Sequence, residues 1–407
     1  MSEPAGLFDG VLARGDVQTR LSDAAWLAAL LEVEAALARA GAAAGIVPAG
    51  AAAAIDAACD AKAFDVADLS AAATASGNPV VPLVQRLRSI VPDHVAPYVH
   101  KGATSQDIMD TAAMLVAHRA LVPLLADLRG AADSAAGLAR AHRDTVMAGR
   151  TLLQQAVPTT FGLKAAGWMV GLDEAATRLA EVRATRLAAQ FGGAAGTLAG
   201  LGGAGVDVAA RLAAELGLAA PVLPWHAIRT RPVELACALG EAAGVTAKVS
   251  RDVTLLAQNE VGEVSEETPG GSSVMAHKRN PIAAVSAAAC AAQAPGLVAT
   301  LLAAMAHEHE RAAGAWHAEW RPQRELLVAT GSAVAWMRDC LEHLVVHPEA
   351  MRANLDPLLG RLGGYAGAPD VGLAGPLVDR ALAARPRREG PREDRPKGRE
   401  ESGGRDE

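Results

Sequence analysis

The chain of 407 residues carries 38 Lys and Arg against 45 Asp and Glu, a net charge of −7, and 51% of its residues are hydrophobic. That balance suits a soluble chain with cores for two or three domains and excludes disorder over most of the length. It offers no basic field for a phosphate backbone, which excludes nucleic acid as the main partner, and no uncharged run is expected to approach the roughly 18 residues of a membrane span. The opening MSEPAGLFDG has no basic stretch ahead of an apolar one, so no secretory signal is expected and the cytoplasm is the expected compartment. Cys59, Cys237, Cys290 and Cys340 stand far apart, with no C-x-x-C pair for zinc or redox work, and read as reduced core thiols.

Alanine is the commonest residue, isoleucine is scarce at six, and aromatics make up 3%, so the chain should be nearly all helix. The first marked helix has Ser22 and Asp23 to cap its start, then Trp26, Leu30, Val33 and Leu37 at helical spacing, and Gly41 placed to end it. Pro79 and Pro82 interrupt the N-terminal region, and glycine-rich stretches at Gly192 to Gly205 and Gly270 to Gly271 mark further boundaries. Val245, Val249, Val253 and Leu256 run through a proline-free stretch from about Glu234 to Val264, a rod about 45 Å long. Rods with small side chains pack closely into bundles, and their remaining apolar surface calls for partner subunits. From Arg385 onward the chain becomes a mixed-charge, Pro- and Gly-rich tail, expected to be disordered and without catalytic role.

Two patterns imitate sites. Gly200, Gly202 and Gly205 fit G-x-G-x-x-G, but no strand precedes them, so the stretch reads as a flexible loop between helices. His307 and His309, two apart on a helix, would point about 200° apart and read as solvated or capping residues rather than a metal pair. The G-x-S-x-G elbow of a hydrolase is missing.

The segment TPGGSSVMAHKRNP, Thr268 to Pro281, joins adjacent glycines and two hydroxyls to Lys278, Arg279 and Asn280, a loop suited to an anion. Its GSSVMAHKRNP resembles the G-S-S-x-M-P-x-K-x-N-P signature of the fumarase/aspartase superfamily. Two more segments fit that superfamily in order: YVHKGATSQDIMDTA at Tyr98 to Ala112, and GRTLLQQAVPTTFGLKAAGW at Gly149 to Trp168. Within it, LPWH at Leu223 to His226, RDVTLLAQNEVGEV at Arg251 to Val264 and HERAAGAWHAEW at His309 to Trp320 are most similar to the bacterial 3-carboxy-cis,cis-muconate cycloisomerases.

This resemblance implies an all-α fold, a long-helix bundle assembling as a homotetramer around a central helical core. Residues 1–106 would form an N-terminal helical domain, 107–346 the central bundle, 347–384 a shortened C-terminal domain and 385–407 the tail. Each active site would draw its three motifs from three subunits, bind a small polycarboxylate, and use neither cofactor nor metal. Carried onto this chain, the catalytic residues are Ser272, Lys278 and Asn280. Thr104, Ser105, His100, Gln154 and Arg279 would bind substrate, with His226 and His317 as further candidates. His226 would either contact the ligand or support a residue that does, and Trp225, Trp316 and Trp320 would wall a dry site. The implied reaction is a cycloisomerase's lactonisation, with another β-elimination of the superfamily, such as a succinyl C–N lyase, or an inactive homologue as the alternatives.

Three departures bear on that reading. Arg150 and Thr151 are followed by Leu152 where the superfamily's C–N lyases carry a histidine, so their general acid, worth about 10²- to 10⁴-fold, is absent. Ala276 replaces the signature proline, and Lys101 stands where the cycloisomerases usually carry tryptophan.

Overall fold

The computed structural model describes residues 6–271, 274–275, 278–362 and 369–385. Helices α1 (Asp9–Leu12), α2 (Val17–Arg20), α3 (Asp23–Ala43), α4 (Ala49–Ala58), α5 (Val66–Ser76) and α6 (Val80–Ile90) form the N-terminal region. The long α7 (Ser105–Ala141) and α8 (Phe161–Thr185) follow, then the short α9 (Gly205–Glu215) and the long α10 (Thr230–Leu256). The helices α11 (Ile282–Ala291), α12 (Ala294–Ala303) and α13 (Ala315–Glu342) complete the bundle, and α14 (Pro348–Arg361) and α15 (Ala374–Ala383) lie beyond it. Strand appears in two small antiparallel pairs, β1 (Val146–Thr151) with β2 (Gln154–Thr160), and β3 (Val264–Glu266) with β4 (Leu344–Val346).

Contacts between the rods fix their directions. Asp110 near the start of α7 meets Arg229, just before α10, and Trp316 at the start of α13, so these three helices run parallel. Trp168 early in α8 bonds Asp252 late in α10 at 2.7 Å, and Arg186 just past α8 pairs with Glu234 early in α10, so α8 runs the other way. The α11–α12 pair also descends: Ala283 and Ala284 bond Glu266 at one end, and His307 reaches the His226 carbonyl at the other. Alanine, leucine and valine fill the interior, with Phe161 and Trp168 the largest fully buried side chains.

Ser22 caps α3 as its type and place require, its hydroxyl accepting from the Ala25 amide at 3.2 Å. The expected stop at Gly41 is displaced. Gly41 lies inside α3, which runs on to Ala43, because Val47 packs so closely that a Cβ on residue 41 would sit 2.7 Å from it; the left-handed residue is Gly45. The rod expected from Glu234 to Val264 starts earlier and ends earlier, at Thr230 and Leu256, because Pro232 is tolerated in a first turn and the chain needs its last residues for β3.

Two further expectations need correction. An uncharged stretch of span length does exist: Ile282–Ala303 runs for 22 residues without a charge, and α7 is also long and apolar enough to cross a membrane by composition. In the fold α7 is mostly buried against its neighbours, and the uncharged stretch breaks into α11 and α12, turning Ala284, Ala287, Cys290, Ala294 and Leu301 into the bundle. Of the four thiols, all free, Cys290 and Cys340 are buried, Cys59 is half-buried and Cys237 is exposed, so the core reading fails for Cys237. Of the tail expected to be disordered from Arg385, Arg385 itself is held against the bundle by Asp173 at 2.8 Å and Asp133 at 3.0 Å, and the rest, from Pro386, lies outside the described residues.

The α7–α8 connection depends on a missing side chain. At Gly162 a Cβ would stand 2.6 Å from both the Arg143 Cα and the His142 carbonyl oxygen, backbone atoms that cannot swing aside. Gly162→Ala should therefore lower stability by about 1–3 kcal/mol, whereas Gly50→Ala, in open space at the start of α4, should raise it by about 0.5 kcal/mol. Thermal unfolding followed by circular dichroism checks both, and equal melting of Gly162→Ala and the parent would contradict the close approach.

Candidate active site

The head of α7 is organised by one carboxylate. Thr104 is the extended residue before the helix, and Asp107, three residues on, folds back so that Oδ2 accepts the Thr104 amide at 2.9 Å. Asp107 also accepts the amides of Gly192 at 3.0 Å and Gly193 at 2.9 Å, and the His226 Nε2 at 2.6 Å, and it is fully buried. Thr104 and Ser105 are thereby held, half-buried, at the positive end of a 37-residue helix, where an anion is favoured. His100 stands four residues earlier with a left-handed backbone, φ 61°, and its Nδ1 lies 2.6 Å from Oε1 of the buried Glu34.

Behind this edge lies a buried polar cage. Arg229 forks onto Asp110 at 2.7 and 3.0 Å and onto Glu319 at 2.6 to 3.1 Å, with its guanidinium carbon 4.8 Å from the Trp225 ring centre. Burial alone would depress its pKa, but Asp110 and Glu319 outweigh that and raise it. Trp316 donates to Asp110 at 3.0 Å, Gln106 donates to Asp110 at 3.1 Å, and Trp320 packs edge-on against Trp316. The tryptophans thus wall a desolvated ion cluster.

His307 and His309 are not on a helix; they lie in the loop after α12. The His307 side chain is fully buried, with Nδ1 3.2 Å from the His226 carbonyl oxygen and Nε2 3.2 Å from Glu319, so the solvated reading does not hold for it. Among the described residues no group of three His, Cys, Asp or Glu is arranged to hold a metal. His226 is buried with Nε2 committed to Asp107, which is the geometry of a supporting residue. His317 is exposed, its Nε2 on the Gly77 carbonyl at 3.0 Å.

The other motifs lie at the opposite end of the bundle. Gln154 starts β2 at an exposed hairpin tip whose turn residues, Leu152 and Leu153, are 96% and 74% exposed and left-handed, with φ 51° and 64°. Arg150 at the hairpin base forks onto the buried Glu263 at 2.7 and 2.9 Å, and Asn354 joins Glu263 at 3.0 Å. Nearby in α8, burial lowers the pKa of Lys164 although Asp252 opposes the shift. The loop after β3 carries Lys278 and Arg279, both exposed, and Asn280, which pairs with Gly270 through the backbone. Ser272 and Ala276 lie outside the described residues.

Within one chain, therefore, the structure brings His100, Thr104, Ser105 and His226 together and keeps Gln154, Lys278, Arg279 and Asn280 apart from them. No hydrogen bond or ion pair among the described residues links the two groups. The 37 residues of α7 measure about 55 Å. Even folded back along the bundle, a six-residue strand of about 20 Å would leave Gln154 roughly 35 Å from Ser105.

Sequence reasoning passed over Glu34, Asp107, Asp110, Arg229 and Glu319. Two of them had a signal: Thr104-x-x-Asp107 is a capping-box spacing, and Glu34 falls four residues after Leu30 and three before Leu37, on the apolar stripe itself. The remaining three belong to separate segments that only the fold joins.

Comparison with known proteins identifies the family. A family model described as lyase matches residues 12–296. The chain is 49% identical over 360 residues to a 3-carboxy-cis,cis-muconate cycloisomerase of Bradyrhizobium diazoefficiens, covering 87% of this chain and 80% of the relative. It is 45% identical over 372 residues to a nitrosuccinate lyase of Streptomyces davaonensis, covering 88% and 78%. Among solved structures, the 3-carboxy-cis,cis-muconate lactonizing enzyme of Pseudomonas putida superposes with a TM-score of 0.82 at 40% identity, covering 93% of this chain and 87% of that one. The chain therefore belongs to the lyase family of the fumarase/aspartase superfamily.

Proposed function

We propose that this chain is a cofactor-free cycloisomerase that closes 3-carboxy-cis,cis-muconate to 4-carboxymuconolactone in cytoplasmic aromatic-acid breakdown. The observation that carries the reading is Leu152: the hairpin tip presents an apolar side chain where a C–N lyase needs an acid for its departing amine. Lactonisation has no amine to protonate. One substrate carboxylate adds its oxygen to a ring-closing alkene carbon, and the π electrons move to the carbon beside a second carboxylate, which becomes a dianionic aci-carboxylate until that carbon takes a proton. The relatives' identity supports the same assignment, and the four free thiols suit a reducing compartment.

In this reading Lys278 and Asn280 donate to the developing dianion, and Ser272 carries the proton to and from carbon. The hydroxyls of Thr104 and Ser105 at the helix terminus, with His100, Gln154 and Arg279, hold the remaining carboxylates. We further propose a homotetramer in which these groups meet across subunits. Its support is geometric, since a rod of about 55 Å separates the motifs in one chain and the exposed leucine tip lacks cover there. A second reading, β-elimination from a succinate-type substrate, is favoured by the relative named for nitrosuccinate.

Loss of carboxymuconate absorbance on mixing with the purified protein, against fumarate release from succinyl adducts and elimination from nitrosuccinate, separates the two. We expect the first alone. Lys278→Met should lower kcat/KM by about 10²- to 10³-fold, Ser272→Ala should abolish turnover, and parental rates in either would overturn the assignment. Failure with every substrate would leave a non-catalytic homologue.

Mixing Lys278→Met with Thr104→Val, each expected to be strongly impaired alone, after dissociation and reassembly, should restore on the order of a quarter of the parental activity if each site takes these residues from different chains. No recovery, or a monomer by light scattering, would overturn the shared site.

A further inference from the structure

The Glu34 carboxylate is out of place by the ordinary rules of burial. It lies in the middle of α3, among Leu30, Leu31, Val33 and Leu37, with its side chain fully buried. Oε1 meets His100 Nδ1 at 2.6 Å, while Oε2 has no hydrogen-bond partner. A buried carboxylate with one oxygen unsatisfied is costly, and an apolar residue there would serve the core better. His100 adds a second cost, a non-glycine residue at φ 61°. Both costs fall on one pair, at the edge of the α7 terminus and four residues before Thr104.

We propose that Glu34 is a positioning residue: it orients His100 and keeps it cationic, so that His100 Nε2–H receives a carboxylate of the ligand. With Nδ1–H donating to Glu34, Nε2 is the ring nitrogen left for a ligand, and the side chain retains 13% exposure. The carboxylate ligand rests on the proposed reaction, whereas the Glu34–His100 couple does not.

The charged groups around the ring favour the cation. Burial works against it, but Glu34 from α3, by charge and by hydrogen bond, and Asp107 from α7 outweigh burial and the opposing Arg88 from α6, so the His100 pKa is raised. Lys101 adjoins it in the chain. The same Glu34 charge, added to burial, pushes the Cys59 thiol up to about 12, so the neighbouring sulfur stays neutral and does not compete as an anion. Because the pKa is raised, the imidazolium persists below it and is lost as pH rises through it. Without Glu34 that loss must come at lower pH.

The test is an NMR titration of the full-length protein carrying carbon-13 histidine, with the His100 signal assigned by its disappearance in His100→Asn. In the parent His100 should titrate above the ordinary histidine range, Glu34→Gln should shift it downward, and Glu34→Asp should restore part of the shift. Tricarballylate, a saturated tricarboxylate probe, should move the His100 signal and raise its titration further. In turnover of carboxymuconate near neutral pH, Glu34→Gln should raise KM about 10- to 100-fold, the loss of a charge-assisted contact, with kcat within a few fold.

A parental His100 titrating at or below the ordinary range, or an unchanged titration in folded Glu34→Gln, overturns the pair. If Glu34→Gln does not fold, the parent and Glu34→Asp decide. A His100 signal indifferent to tricarballylate overturns the ligand contact. A shifted His100 that responds to tricarballylate, in a protein that turns over no carboxymuconate, overturns the proposed reaction and leaves this inference standing.

Discussion

The Asp107 carboxylate accepts four hydrogen bonds from three stretches of chain that are otherwise far apart in sequence: the Thr104 amide, the Gly192 and Gly193 amides, and the His226 ring. Those bonds satisfy both oxygens of a fully buried anion, and they leave the loops no alternative seat, since each amide released would be a buried donor without a partner. The fit is tight enough to demand glycine. Gly193 is left-handed and a Cβ there would stand 2.8 Å from the Gly102 carbonyl oxygen, while Gly102, left-handed in turn, admits no Cβ against Leu201. Thr104 and Ser105 are thus held by the protein's own bonds, which on the proposed reading is the condition under which weak donors orient a polycarboxylate effectively.

The cage around Arg229 extends the same constraint into the bundle. Its two carboxylate partners come from α7 and α13, and Arg229 itself precedes α10, so one guanidinium sets the mutual height of three parallel rods. An ion cluster of this kind adds little net stability compared with packed apolar side chains, but removing any one member strands the others. Tryptophan rings, with Trp225 under the guanidinium and Trp316 bonded to Asp110, exclude water from it. The head of α7 is therefore rigid for electrostatic reasons.

Much of this was legible in the residues. Helix content followed from alanine and the scarcity of isoleucine and aromatic residues, and the start of α3 from the short polar side chain at Ser22. The three superfamily segments were visible because they concentrate glycines, hydroxyls and cations that no packing pattern demands. What escaped was long-range. Gly41 has the type of a helix stop but serves as a floor for Val47, and the uncharged run through α11 and α12 has a membrane segment's composition but a bundle's surroundings. Asp110, Arg229 and Glu319 lie on three segments, and a charge on one helix announces nothing about which distant charge will meet it. His307 shows the same limit: from its neighbours it belongs at the surface, and only the approach of Glu319 and the His226 carbonyl puts it inside.

The hairpin tip shows how a locally unfavourable choice acquires a reason at a larger scale. Two-residue turns with both residues left-handed favour Asn and Gly, and each L-residue forced there costs roughly 1–2 kcal/mol. This tip uses Leu152 and Leu153 instead, and leaves them in water in the single chain. Neither the turn nor the core is served by that choice. On the shared-site reading it has a use, because a stiff ribbon anchored by Arg150 on Glu263 can carry Gln154 and two apolar side chains into a cleft formed elsewhere. There the leucines would displace water from around the reacting carboxylates, which strengthens every donor aimed at them, and the area they bury would offset the turn strain. A histidine at Leu152 would instead bring a proton donor into that space, so one side chain at the tip would decide whether the enclosed site favours release of an amine or closure of a lactone.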